Sequence, residues 1–433
     1  MNLPLRRRWL ASCAGWLAAA AAWPGRAAGP LVQAVSVIET PAPLARVHVD
    51  GQGDLLGVTA GGAVWQHRGG RWRPLCEGLD PATPLASGQG RSAGRSLDGG
   101  LWLLEPDGGI SIGQTPRLAA HAGLLIQRTG VVALVQGRDG RDGHDGDKPV
   151  QAVRLAPDGA ARWHEAARSR DSLLPDATPV AFDPTGRAAE GSGAGVGVGT
   201  IAVFAGPDGQ RYRHGALGDE IEATRLLLLD PLNLKPLAEL TLLEPNVFED
   251  LAPRPITWRG GQALLTMRAG PQGGQLAIIT SDGSAKLTLA ALGPPIGSRY
   301  RWLAPSTDGT NLFAVHTPHI GGVLHRYRAE GDQLLSEQLA SGLSNHQNGQ
   351  RELGLSLWFG AGLLLPSQDR RQLQLFDSRS RGSGSGSIST STRWDLPAPV
   401  VALRHWVRAG QPGALALLAD GRLSWLAAPM LPS

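Results

Sequence analysis

Short apolar runs recur along the chain, each closed by a glycine turn. Leu55-Leu56-Gly57-Val58 precedes Gly61-Gly62, Leu101 to Leu104 precede Pro106-Asp107-Gly108, and Val153-Arg154-Leu155 precedes Pro157-Asp158-Gly159. The same rhythm continues through Ile201 to Phe204, Leu226 to Leu229, Ala263 to Leu265, Leu276 to Ile279, Asn311 to Val315, Leu363 to Leu365, Leu373 to Phe376 and Ala414 to Leu418. Glycine accepts positive φ at no steric cost, so Asp-Gly and Gly-Gly between apolar runs are turns. Strands of about four to six residues at such spacing predict an all-β sandwich, barrel or propeller. Sustained helical periodicity is missing, and only Pro157 to Arg170 offers a short helix.

The segment Leu226 to Leu240 reads as strand, turn and strand, the outer hairpin of a propeller blade. Repetition from Leu44 to Leu426 predicts a single closed β-propeller of about seven blades, with eight as the other count, at roughly 40 to 50 residues per blade plus loops. A ring must hide its two ends, because open sheet edges invite pairing with other chains. The final strand around Trp425 is therefore expected to pair with the segment near Val35 to Val49.

Composition fits a turn-rich chain, with 59 Gly, 32 Pro and 13 Trp but only 18% charged residues among 433. Residues 1–28 read as a signal peptide, leaving 29–433 as the propeller domain. Arg6, Arg7 and Arg8 begin it, a Leu, Ala and Trp run follows, and small residues end it at Ala27-Ala28. Arg6 to Leu10 also fit a twin-arginine export signal, the general secretory route being the alternative. The apolar run is too short and too interrupted for a membrane span, so a periplasmic or extracellular protein with no integral span after cleavage is expected. The whole chain carries +4, and the signal holds four arginines and no acid, so the mature part is formally neutral. That balance gives no electrostatic footprint for nucleic acid. Cys13 leaves with the signal, and Cys76, alone, reads as a small buried apolar residue.

Three stretches are of low complexity. Gly137 to Lys148 repeats Gly-x-Asp, but its aspartates are spaced by three, three and two rather than at the alternate positions of a calcium loop. Gly191 to Gly199 and Gly382 to Gly386 read as loop tips.

Polar phrases of unusual definition interrupt the strand pattern: Thr317-Pro318-His319-Ile320-Gly321-Gly322, Ser344-Asn345-His346 and Arg351-Glu352-Leu353-Gly354-Leu355. With them go Arg211 to Gly215, Leu217-Gly218-Asp219, Val247 to Leu251 with Pro253-Arg254, Arg301-Trp302-Leu303 and Asp369-Arg370-Arg371. Through these phrases the chain from about Arg211 to Leu375 resembles bacterial extracytoplasmic propellers built of FG-GAP or VCBS repeats. The resemblance implies calcium held in Asp-x-Asp-Gly-Asp-Gly loops. At the corresponding turns this chain has Trp258-Arg259-Gly260-Gly261, Ser306-Thr307-Asp308-Gly309 and Trp358-Phe359-Gly360-Ala361. Those turns lack the carboxylates, so no metal or other cofactor is expected.

Buried charge is costly unless paired, so the charged residues of these phrases must pair with one another or face a solvated funnel. The candidate ligand-binding residues are Arg211, His214, Asp219, Glu249, Asp250, Arg254, His319, Asn345, His346, Arg351 and Glu352. Three readings are open. The residues form inter-blade ion pairs and turn caps; or they form a binding face for a protein, glycan or small molecule at one mouth of the channel; or they are catalytic. A catalytic version would be a metal-dependent hydrolase using His214, His319 and His346 with Glu249 or Asp250, or a quinoprotein-like oxidoreductase. The second is weakened because the Trp163 phrase occurs once and no adjacent cysteine pair exists. A binding or scaffold module, rather than an enzyme, is the expected function.

Overall fold

The computed structural model describes residues 31–113, 116–137, 149–158, 162–184, 199–379 and 390–428. The signal peptide, the Gly-x-Asp repeat after Gly137 and both later glycine-rich tips lie outside the described residues. The regular secondary structure of the described residues is β-strand, with one 3-10 turn at Gly215–Leu217.

The strands assemble into antiparallel groups of four in chain order: sheet I over 44–76, sheet II over 86–113, sheet III over 125–168 and sheet IV over 180–241. Sheet V spans 254–292, sheet VI 303–341 and sheet VII 357–395; sheets IV, V and VI are hydrogen-bonded into one 13-stranded sheet, through Val247–Phe248 between Glu222–Leu229 and Gly261–Ala269 and through a parallel bridge of Leu292 to Gln333. Sheet VIII takes three strands from 400–427 and its fourth from the other end of the chain, Ser36–Ile38, which pairs with Leu423–Ala427 through Ser36↔Trp425 and Ile38↔Leu423. This is the expected union of the two ends. Leu31–Gln33 adds a parallel fifth strand to sheet VII beside Thr390–Asp395.

The apolar runs of the sequence form middle strands. Gly130–Gln136 shows why: Val131, Ala133 and Val135 pack towards sheet II, whereas Val132 and Leu134 join the core shared with sheet IV. Successive side chains of a strand point to opposite faces, so a strand covered on both sides must be apolar throughout. The same alternation divides Leu55 from Leu56 and Leu363 and Leu365 from Leu364. Core clusters join sheets I and II, II and III, III through VI, VI and VII, and VII and VIII. A further cluster of Leu44, Val47 and Leu55 with Trp406, Leu415 and Trp425 packs sheet VIII on sheet I.

Two expectations from the sequence met the structure directly. Leu226 to Leu240 is the hairpin it appeared to be, with Leu228 opposite Ala238. The short helix over Pro157 to Arg170 is not formed: Trp163–Arg168 is the outer strand of sheet III, paired with Val150–Pro157. An isolated helix there would gain little at that length, whereas the sheet edge supplies ladder hydrogen bonds. Cys76 is half-buried and accepts a hydrogen bond from Trp102 Nε1 at 3.3 Å, and burial raises its thiol pKa.

A truncation beginning at residue 41 removes the fourth strand of sheet VIII and leaves Leu423–Ala427 an open edge. Compared with a chain beginning at residue 29, it is expected to melt several degrees lower and to aggregate on heating. Identical melting curves would mean that the terminal pairing contributes nothing.

Candidate functional site

A cavity of about 600 Å³ lies among the connections that lead into the first strands of seven of the eight sheets. Apolar middle strands are taken up by packing between sheets, and the charged side chains at this place come from the connections, with Arg46 from the first strand of sheet I and Arg404 from that of sheet VIII. The 342–356 connection, which leads from sheet VI to sheet VII, runs along the cavity without regular structure. It is tied on many sides. Ser344 N donates to Pro366 O, Asn345 Nδ2 to Ala304 O, Gly349 N to Ala216 O, and Gly354 O accepts from Leu403 N.

Arg351 on this connection makes the longest-range ion pair of the site. Its Nε meets Asp176 Oδ2 at 2.7 Å and its Nη2 meets Asp219 Oδ2 at 2.5 Å. Gly218, just before Asp219, sits at φ 106°, and a Cβ there would come within 2.5 Å of the Arg351 guanidinium. Only glycine serves both needs. Burial and Asp219 raise the pKa of Asp176, and Arg351 opposes them. The next residue, Glu352, receives Arg404 in a two-pronged pair at 2.7 and 3.2 Å, with Arg46 at 4.0 Å. Burial works against its charge, but Arg404 and Arg46 outweigh that and hold the carboxyl below its ordinary value.

His346 reaches back to sheet VI. Its Nε2 is 2.7 Å from Gln350 O and its Nδ1 2.8 Å from His319 Nε2. A carbonyl only accepts, so His346 Nε2 carries the proton, Nδ1 accepts, and His319 Nε2 donates. Burial keeps both rings neutral, with pKa values near 3 for His346 and near 4 for His319. Trp302 stacks on His319, tilts against His346, and donates its indole N–H to Glu249 O at 3.1 Å. Nearby, Gly322 is pressed so closely on Leu343 O that a Cβ would stand 1.8 Å from it, which accounts for the second glycine of the Thr317 to Gly322 phrase.

Glu249 is fully buried and hydrogen-bonds His214 Nδ1 through Oε1; its Oε2 has no partner among the described residues. Burial pushes its pKa up to about 7 against the pull of His214. Glu222, buried beside it, is raised well above the carboxylate range by burial and by Glu249. Asp250 is spoken for: Arg254 Nη1 binds it at 2.7 Å and Thr266 Oγ1 at 2.9 Å.

Of the eleven residues chosen from sequence, ten fall into this chain of contacts. Arg211 does not: it ties a peripheral loop through Leu242 O, Asn246 O and Glu244. Asp176, Glu222, Arg46, Arg370 and Arg404 were missed. Asp176 follows a proline and Arg404 sits inside an apolar strand, weak signals at best, while Arg370 lay in a phrase already singled out. Among the described residues no three His, Cys, Asp or Glu side chains stand close enough to hold a metal ion, and no helix is long and apolar enough to cross a membrane.

Removing one member of a buried ion pair strands its partner. Arg351→Met is expected to cost about 3 kcal/mol, and Asp176→Asn in the same chain to restore part of it, both read from urea unfolding. A second substitution that added its full independent cost would show that the two side chains do not interact.

The titrating groups set opposite pH slopes. Folding holds a proton on Glu249 between its ordinary 4.5 and about 7, so that stability is full below 4.5 and lost as pH rises through 7. His346 releases a proton on folding between its ordinary 6.5 and about 3, so its contribution is present above 6.5 and falls away in acid. Between pH 4.5 and 7 the Glu249→Gln chain should therefore lose the parent's contribution that falls with rising pH, and between pH 6.5 and 3 the His346→Gln chain the one that falls with acid, both read from urea midpoints; slopes unchanged from the parent would refute these assignments.

No family model and no curated protein sequence matches the chain. Solved structures do. BamB from Moraxella catarrhalis is 12% identical over 93% of this chain and 98% of that one, with a TM-score of 0.50. The computationally designed Ika8 protein is 10% identical over 93% and 100%, at 0.54. Sqt1 from Saccharomyces cerevisiae is 8% identical over 93% and 100%, at 0.56. At such identities the likeness speaks for architecture alone, and with the sheets above it makes this protein a β-propeller.

Proposed function

We propose that the protein is an exported, non-catalytic β-propeller of eight blades that works as a binding or scaffold module in the periplasm or outside the cell. The observation that carries the binding reading is a cavity beside the 342–356 connection lined by charged residues distant in sequence, Arg46, Asp176, Arg351, Glu352 and Arg404, with the other polar phrases tied to that connection by contacts outside the cavity wall. Eight blades follow from eight four-stranded groups, and closure of the ring from sheet VIII packing on sheet I and sharing its strand with the N-terminal segment. Export rests on the residue 1–28 pattern, with twin-arginine or general secretion as the route. Kinship with FG-GAP and VCBS propellers whose calcium loops have degenerated rests on the polar phrases from Arg211 onwards.

The pairing of the charges favours binding over catalysis. Both nitrogens of His346 are engaged, and Asp250 and Glu352 are each held by an arginine. Propeller connections gathered at a channel mouth suit recognition of a protein, glycan or small molecule.

A photo-reactive amino acid placed at Gln350, at the cavity, should give adducts in cells that the same residue at exposed Leu335, on an outer strand, does not. Equal labelling at both positions would remove the mouth as the binding face. Stoichiometric metal, or a visible cofactor band with turnover, in the purified protein would replace the module with an enzyme.

A further inference from the structure

A second cavity, of about 440 Å³, adjoins the 342–356 connection on the side of sheets VII, VIII and I. Its charged lining is Arg46, Arg370, Arg404 and Glu352, three guanidiniums against one carboxylate. Arg404 is spent on Glu352, and Arg46 donates to Pro81 O at 2.7 Å and Ala82 O at 3.3 Å while standing 4.0 Å from that same carboxylate. Arg370 has no such arrangement. Among the described residues no oxygen receives its guanidinium, and its Nε is buried without a hydrogen bond. Its backbone is held in the left-handed region, φ 57°, uncommon for a residue with a side chain, by Ser367 O at its N–H and Val400 N at its carbonyl. The turn thus places an unpaired cation in a cavity that already has one positive charge in excess.

A half-buried guanidinium whose Nε has no hydrogen bond is poorly compensated, and its planar fork matches two oxygens of a carboxylate or phosphate. We propose that this cavity binds a small oxyanion, the carboxylate or phosphate group of a ligand, between Arg370 and Arg46, with Gln347 and Gln350 as neutral donors at its wall. The volume lies in the range of small-molecule sites. The inference rests on the binding reading above and names the chemistry of the ligand. Burial lowers the pKa of both Arg46 and Arg370, as expected for cations that lack a full counter-charge.

The test is isothermal titration calorimetry of the full mature chain with sodium phosphate and, separately, sodium succinate, against sodium chloride at equal ionic strength. Binding of phosphate alone, of succinate alone, or of both supports the site and tells which oxyanion it takes. Arg370→Gln, which removes an unpaired charge and should fold at least as well as the parent, is expected to weaken binding by about tenfold or more. Glu352→Gln removes the competing carboxylate and is expected to tighten it; should that variant fail to fold for want of its Arg404 pair, Arg370→Lys, which keeps charge but loses the fork, should fall between parent and Arg370→Gln. No binding of either anion beyond chloride, or an Arg370→Gln chain that binds as the parent does, overturns the proposal. If Gln350 adducts persist in that case, only the ligand class is lost; if they too are absent, the binding reading falls with it.

Discussion

The structure depends on sheets whose two faces are both apolar. A sheet with one oily face can stop at water, but one built from Val131 to Val135 or Leu363 to Leu365 needs a neighbour on each side. Each sheet therefore calls for a neighbour, and Trp406, Leu415 and Trp425 of sheet VIII pack against Leu44, Val47 and Leu55 of sheet I. The N-terminal strand Ser36–Ile38 completes the hydrogen bonding that this packing begins.

The same constraint decides where charge goes. With the middle strands taken up by packing, polar residues are left to the outer strands and to the connections, some of which gather around the cavities. There carboxylates outnumber nearby cations on the side of Glu222, Glu249, Asp250, Asp219 and Asp176, and the excess is met by protonation as well as by pairing: Glu249 and Glu222 are pushed up, while Asp250 and Asp219 are held by arginines. On the opposite side of the 342–356 connection the imbalance reverses, with Arg46, Arg370 and Arg404 facing Glu352. The two cavities share Arg46, Gln350, Glu352 and Arg404 in their lining, and Arg351 and Glu352, adjacent in the chain, take different partners: Asp176 and Asp219 for the one, Arg404 for the other.

Much of this architecture was readable in the residues. Apolar runs bounded by Asp-Gly and Gly-Gly located the middle strands, since such runs suit only a strand buried on both faces. Of the phrases around His319, His346 and Arg351, the last lines the cavity, while the two histidines hydrogen-bond each other beside Trp302. The Trp163 strand was misread because its charged residues, His164, Glu165 and Arg168, stand on an exposed outer edge where no apolar alternation is needed. Arg211 was wrongly grouped because a loop-capping arginine and a site arginine look alike in sequence.

By itself the sequence determined the class of element, the turn positions and the neutral balance of the mature chain, because these follow from local sterics, side-chain polarity and counting. Tertiary structure alone decided the partners: that Arg351 would find Asp176 and Asp219, that Arg404 rather than a nearer cation would hold Glu352, and that the Arg370 guanidinium would be left with none among the described residues. Those outcomes depend on how neighbouring sheets are rotated and stacked, which brings together residues 52 to 175 positions apart. Pairing at that range carries no local trace, since a charged residue's own neighbours say that it needs a counter-ion without saying which.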